Sequence, residues 1–210
     1  MHRLTSAALA ATILLLAGCA GTPAKPASDA PPAPFNVMGR ADAPVTIIEF
    51  TDLQCPYCAR HATQTFPRLK ADYIDSGKLR YTSRDLPLPF HSFALPAAVA
   101  SRCAGEQGRF WEYREALFEA QTTLGTEPYD RIAGKLGLDV KRLDACRSDG
   151  RAEADVRADL ALAGSYGIRS TPTFVIGRVV DGEFQGEVVA GAQPHEVFKA
   201  KLDALLAAPR

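Results

Sequence analysis

Val45-Thr46-Ile47-Ile48-Glu49-Phe50 is a short apolar run with β-branched residues, the pattern of a buried central strand. Beyond it Ala62, Phe66, Leu69 and Tyr73 recur at helical spacing, and Pro67 is expected to interrupt and kink that helix. Gly77 marks the turn into a second strand, Lys78 to Arg84, giving a β-α-β unit with a parallel pair. From about 90 to 150 the pattern is helical: Ala94–Ala104, Arg109–Phe118, Tyr129–Leu136 and Val140–Cys146. Trp111 and Phe118 lie seven apart on one helical face and read as core. A helix over 152–166 ends near Gly167, and Ser170-Thr171-Pro172-Thr173 leads into a strand, Phe174–Ile176. Asp181-Gly182 turns a hairpin whose second strand is Glu187–Ala190. A last helix starts at Pro194 and carries Phe198, Leu202, Leu205 and Leu206 on one face.

The first residues read differently. His2 and Arg3 precede an apolar stretch, Ala7–Ala17, too short to span a bilayer, so residues 1–18 read as an export signal. Leu16-Ala17-Gly18-Cys19 looks like a bacterial lipobox, which implies lipid on Cys19 and an envelope protein facing the periplasm. Ala20 after that cysteine favours the outer membrane, and an ordinary signal peptide is the alternative. Residues 20–34, rich in Pro and Ala, read with Cys19 as a tether (19–34) reaching on the order of 45 Å in a polyproline-like conformation. Residues 35–210 then form one domain, with a helical insertion over about 90–150. Losing Arg3 with the signal leaves 23 basic residues against 24 acidic, no footprint for nucleic acid or an anionic bilayer surface.

The chemistry centres on Cys55-Pro56-Tyr57-Cys58, delivered where a strand gives way to a helix. Unsatisfied N–H groups and the helix dipole favour ionisation of the first thiol, and one helical turn returns the second sulfur to its side. The pair is therefore expected to be a dithiol/disulfide redox site. A structural zinc site would need a second close-spaced ligand pair, and His61, His91 and His195 are scattered, so neither a metal nor a cofactor is expected. Five cysteines are an odd number for an exported chain, and lipidation of Cys19 removes the oddity. The even remainder favours a structural disulfide between Cys103 and Cys146, with two buried thiols or a second redox pair as alternatives. His61 and His91 are expected at the surface.

With β-α-β, a helical insertion, β-β-α and C-x-x-C at the end of the first strand, the chain resembles the thioredoxin superfamily. More narrowly it resembles the DsbA-like thiol:disulfide oxidoreductases. The resemblance rests on Glu49-Phe50-Thr51-Asp52-Leu53-Gln54-Cys55-Pro56-Tyr57-Cys58, Gly108-Arg109-Phe110-Trp111-Glu112 and Thr171-Pro172-Thr173-Phe174. It implies an α/β thioredoxin fold with a helical insertion between its two halves, an exposed nucleophile at Cys55 and a more buried resolving thiol at Cys58. It implies a cis Pro172 facing them, with Thr171, Pro56 and Tyr57 beside the substrate chain. It also implies a buried acid at Glu49, with a raised pKa, exchanging a proton with Cys58; a solvated edge carboxylate is the other reading. Exported protein thiols or disulfides are the implied substrates, and a DsbB or VKOR-like quinone-linked membrane protein the implied reoxidant. The archetypal oxidase of the family has histidine where Tyr57 stands and valine where Thr171 stands, which leaves a reductase or isomerase as the alternative to an oxidase. A non-catalytic peptide-binding or chaperone module is a further alternative. A monomer is expected, because the dimeric isomerases carry a separate N-terminal dimerisation domain.

Overall fold

The computed structural model describes residues 34–126 and 128–208, so the signal segment, Cys19 and nearly all of the tether lie outside the described residues. A five-stranded sheet runs in the order β1 (Val37–Met38), β3 (Leu79–Asp85), β2 (Val45–Thr51), β4 (Thr173–Val180), β5 (Glu183–Ala190). β2 and β3 are its parallel pair, and β4 lies antiparallel on the other side of β2. β5 closes the hairpin through Asp181 and Gly182, both at positive φ, so both hairpin strands are longer than the apolar pattern suggests. β1 is a two-residue edge strand antiparallel to β3 that has no periodicity to reveal it.

Between β2 and β3 the chain is not one kinked α-helix. α1 (Pro56–Arg60) passes into a π-helical turn, His61–Thr65, then α2 (Phe66–Leu69) and a second π-turn, Lys70–Ile74. Pro67 removes a donor where the first π-turn meets α2, and Gly77, at φ +75°, makes the tight exit into β3. The insertion comprises α3 (Ala94–Gly105), α4 (Phe110–Glu119), a 3-10 turn Gln121–Thr126, α5 (Tyr129–Lys135) and α6 (Val140–Ser148). α7 (Arg151–Ser165) and α8 (His195–Ala207) complete the fold. This is a mixed α/β thioredoxin-like fold.

Burial divides into three apolar clusters. Ile47, Leu69, Leu79, Tyr81, Phe174, Ile176, Phe198 and Leu202 fill one face of the sheet, where α8 and the Pro56–Ile74 segment pack. Phe50, Leu86, Ala163 and Ile168 pack on the other face with α7. The insertion has its own core around Tyr113, Leu117, Tyr129 and Leu143, and Leu53, Cys55 and Cys58 belong to it. The cysteine pair thus sits where the insertion meets the sheet. Phe118 is buried in the insertion core while half-buried Trp111 stacks on Phe66, their centroids 5.7 Å apart, so the two aromatics are packing residues.

Candidate active site

β2 ends at Thr51, and Asp52–Gln54 carry the chain to Cys55, the N-cap of α1 with extended backbone (φ −77°, ψ 122°). Pro56 occupies the first helical turn, where a missing N–H costs nothing. Cys55 keeps 5% of its surface and Cys58 none, so the expectation of an exposed nucleophile is corrected: Cys55 is itself buried, packed in the insertion core, and Cys58 is the more deeply buried of the two. Both are thiols in this structure. Hydrogen bonding from the Cys58 side chain, joined by the N–H groups of Cys58 and Tyr57, outweighs burial and holds the Cys55 pKa down to about 5. Burial pushes Cys58 well up, and proximity to Cys55 adds to it. The Asp52 N–H donates to Cys58 Sγ at 3.4 Å.

The turn before Cys55 is pinned by side chains from both directions. Asp52 Oδ1 accepts from the Gln54 N–H at 2.7 Å, and Oδ2 accepts from the Leu88 N–H and from His91 Nδ1, both at 2.8 Å. Gln54 Oε1 accepts from the Phe93 N–H at 2.7 Å, and Gln121 Nε2 donates to the carbonyls of Leu53 and Cys55 at 3.1 and 3.0 Å. The insertion therefore holds the loop as well as covering it. His91 is corrected from a surface residue to a half-buried one tied to Asp52.

Opposite the pair, the Thr171–Pro172 peptide is cis, and Thr171 O lies 3.5 Å from Cys55 Sγ. Thr173 enters β4 and pairs with both Phe50 and Ala190, while the Gly191 N–H donates to Pro172 O at 2.8 Å. Two exposed aromatic side chains belong to this region: Tyr57 (57% exposed), between the cysteines, and Phe93 (40%), whose N–H is held by Gln54. The Arg60 guanidinium stands 5.0 Å over the Tyr57 ring and donates to Ala192 O at 3.0 Å.

Beneath the cysteines lies a charged cluster. Glu49 is fully buried and accepts from Arg114 Nη2 at 2.6 Å, so the lone carboxylate of the sequence has a cationic partner sixty-five residues away. His61, expected at the surface, is also corrected: it is fully buried, with Nε2 3.1 Å from the Tyr81 hydroxyl and its ring 4.5 Å from that of Phe174. Burial drops its pKa to about 4, which keeps the imidazole neutral. The sequence pattern does not single out Arg114, Tyr81, Asp52, Gln54 or Gln121. One signal is present: Phe110, Tyr113, Leu117 and Phe118 make the buried stripe of α4, and Arg114 falls within it. Away from the cysteine pair, Cys103 of α3 and Cys146 of α6 form a disulfide (S–S 2.04 Å). Among the described residues no group of three or more His, Cys, Asp or Glu side chains is placed to hold a metal ion.

Comparison with known proteins gives this geometry its relatives. The family profile described as Thioredoxin matches residues 34–203. Among solved structures, alpha-DsbA1 of Wolbachia pipientis superposes with a TM-score of 0.72 at 27% identity, covering 81% of this chain and 89% of that one. DsbA2 of Pseudomonas aeruginosa gives 0.66 at 29% identity (84% and 96% covered), and a thioredoxin-like oxidoreductase of Silicibacter pomeroyi gives 0.69 at 26% (84% and 97%). Among curated proteins, a Na(+)/H(+) antiporter NhaA of Salinispora tropica is 34% identical over 169 residues, 80% of this chain and 25% of that protein. The chain thus spans about a quarter of the length of the curated relatives it matches. With a cysteine pair at the N-cap of the first helix, a facing cis-proline and these relatives, the chain belongs to the thioredoxin family and is one of its DsbA-like disulfide oxidoreductases.

Proposed function

We propose that this protein forms disulfides in exported proteins, with Cys55 as the sulfur attacked by substrate and Cys58 as the resolving thiol. The observation that carries the reading is the inequality of the pair: Cys55 ionises at about 5, beside a buried Cys58 pushed the other way. Ionisation that early stabilises the reduced pair at pH 7 by roughly a hundredfold, which makes the disulfide more oxidising by roughly 60 mV.

A substrate thiolate attacks Cys55 Sγ, the Cys55–Cys58 bond breaks, and Cys58 leaves with the electron pair and takes up a proton. A second substrate thiolate then attacks the substrate sulfur of the mixed disulfide, and Cys55 departs as a stabilised thiolate. The substrate loses two electrons and the enzyme gains them. Thr171 backbone groups beside the cis Pro172, with Pro56 and Tyr57, receive an extended substrate chain. Glu49 exchanges the Cys58 proton, and the Cys103–Cys146 bridge is structural. Reoxidation falls to a quinone-linked membrane protein of the DsbB or VKOR-like kind. In this reading residues 35–210 work as a monomer on the periplasmic side, tethered through lipid on Cys19 to a membrane, the outer one being favoured.

Equilibration with glutathione buffers measures the potential. An oxidase lies toward the value of about −120 mV of DsbA, a strong oxidant because its reduced form is stabilised, and oxidises reduced ribonuclease stoichiometrically. A potential near the thioredoxin value of about −270 mV removes the oxidase reading in favour of a reductase, and efficient refolding of scrambled ribonuclease favours an isomerase.

A further inference from the structure

The buried cluster under Cys58 contains two side chains that the exchange mechanism leaves idle. Parallel pairing sets Ile47 opposite Tyr81 and Glu49 opposite Ser83, so Tyr81 is the diagonal neighbour of Glu49 on one sheet face. On the helix above, His61 follows Cys58 by three residues and shares its inward face. The π-turn that begins at His61 widens the helix there, an irregularity common at functional sites. Tyr81 and His61 are both fully buried and meet at 3.1 Å. Arg114 occupies Glu49 Oε2, while the buried Oε1 has no hydrogen-bond partner, and burial, with the neighbouring Glu49 carboxylate adding to it, pushes the Tyr81 pKa well up.

A phenol has one proton. If His61 Nε2 carries hydrogen and donates to Tyr81 Oη, the phenol proton is free to turn to the carboxylate, the stronger acceptor. The groups facing this point are Glu49 from β2, Tyr81 from β3, Cys58 and His61 from the helix and its π-turn, and Arg114 from α4. From β4 and α8 the rings of Phe174 and Phe198 pack against His61, with centroids 4.5 and 5.4 Å away.

We propose that Tyr81 and His61 are positioning residues for the redox pair: His61 donates to the Tyr81 oxygen, Tyr81 donates to Glu49, and this second donor limits how readily Glu49 takes the proton of Cys58. The inference rests on the reading of Glu49 and Cys58 given above. A carboxylate with two donors is a weaker base than one with Arg114 alone. Cys58 therefore stays a thiol longer, and its side chain remains the chief group holding down the Cys55 thiolate. The pair tunes the balance between keeping Cys55 ionised and releasing Cys58 to attack.

The test uses the protein carrying glutathione on Cys55. Cys58, giving its proton to Glu49, attacks Cys55 Sγ; the Cys55–Cys58 bond forms and glutathione thiolate leaves, so no external oxidant is needed. Release of glutathione is followed by stopped flow across pH. In Tyr81→Phe the profile moves to lower pH, with release about three- to tenfold faster below the wild-type midpoint, and His61→Leu moves it the same way by less. In a Glu49→Gln background Tyr81→Phe has no further effect. Profiles of Tyr81→Phe and His61→Leu that overlie the wild type overturn the proposal and leave the Glu49 reading standing, as does a Tyr81→Phe shift that survives Glu49→Gln. If Glu49→Gln alone leaves the wild-type profile unaltered, the Glu49 reading fails and this proposal with it.

Discussion

At the scale of single residues, the chemistry depends on two sulfurs one helical turn apart in unlike surroundings. Cys55 has hydrogen-bond donors at a helix N-cap; Cys58 has Asp52 N–H, the buried cluster below and no solvent. Iodoacetamide alkylation of Cys55 in the reduced protein is expected to titrate with a midpoint near 5. Because the Cys58 side chain is the largest cause of that low value, Cys58→Ala moves the midpoint toward that of an ordinary thiol, about 8.5. A midpoint unchanged in Cys58→Ala refutes this account. A thiol whose pKa is depressed in the folded state stabilises the reduced protein fully above the ordinary thiol range, and this contribution is lost as pH falls through about 5. The cysteine pair and the acid beneath it are legible as residue types in a pattern. Arg114 is not, because an arginine in a helix is ordinarily a solvated surface residue, and only the approach of α4 to β2 makes it the counter-ion of Glu49.

At the scale of elements, the insertion is joined to the sheet by charge as well as by apolar packing. Arg102 on α3 donates to Asp85 at the end of β3 (2.6 Å) and to Asp159 on α7, while Arg84 also reaches Asp159 at 2.8 Å. Asp85 and Asp159 are nearly inaccessible to water. Burial raises the Asp85 pKa to about 6, with Asp159 adding to the rise and Arg102 opposing it. A carboxyl raised in the folded state holds more protons folded than unfolded between about 4 and 6, so stability falls as pH rises through that window. Urea denaturation of wild type and Asp85→Asn at pH 4 and pH 7 isolates this contribution. The wild type should lose up to about 3 kcal/mol more than the variant on going to the higher pH. Equal losses would show that the Arg102 pair fully offsets the cost of burying Asp85. The π-turns at 61–65 and 70–74 also belong to this scale. Apolar spacing reports that a helix is present and which face is inward. It does not report the local winding, which is why His61 is expected at the surface and lies inside.

At the scale of the molecule, two cores meet at the active site: one between the sheet and its covering helices, the other inside the insertion. The Cys103–Cys146 bridge ties α3 to α6 across a separation of 43 residues within the second core. In the chain-entropy account, closing such a loop restricts the unfolded chain by about 4 kcal/mol. Replacing both cysteines by serine should lower the unfolding free energy by about 2–4 kcal/mol, measured in urea, while the Cys55 alkylation midpoint stays where it is. A moved midpoint would mean that the bridge also shapes the redox site.

The sequence by itself determined the order of strands β2 to β5 and the helical stretches between them, and the delivery of Cys55 and Cys58 to a helix start; the proline that faces them came from the resemblance to the DsbA-like family. The order and the delivery follow from periodicity, helix-end chemistry and turn residues, all of which are local. Only the tertiary structure decided what lies under the pair. Glu49 meets Arg114 over 65 residues, Tyr81 meets His61 over 20, and Gln121 reaches back 66 to Cys55. Buried polar groups must find partners wherever the fold brings them, and no spacing along the chain encodes which partner that is.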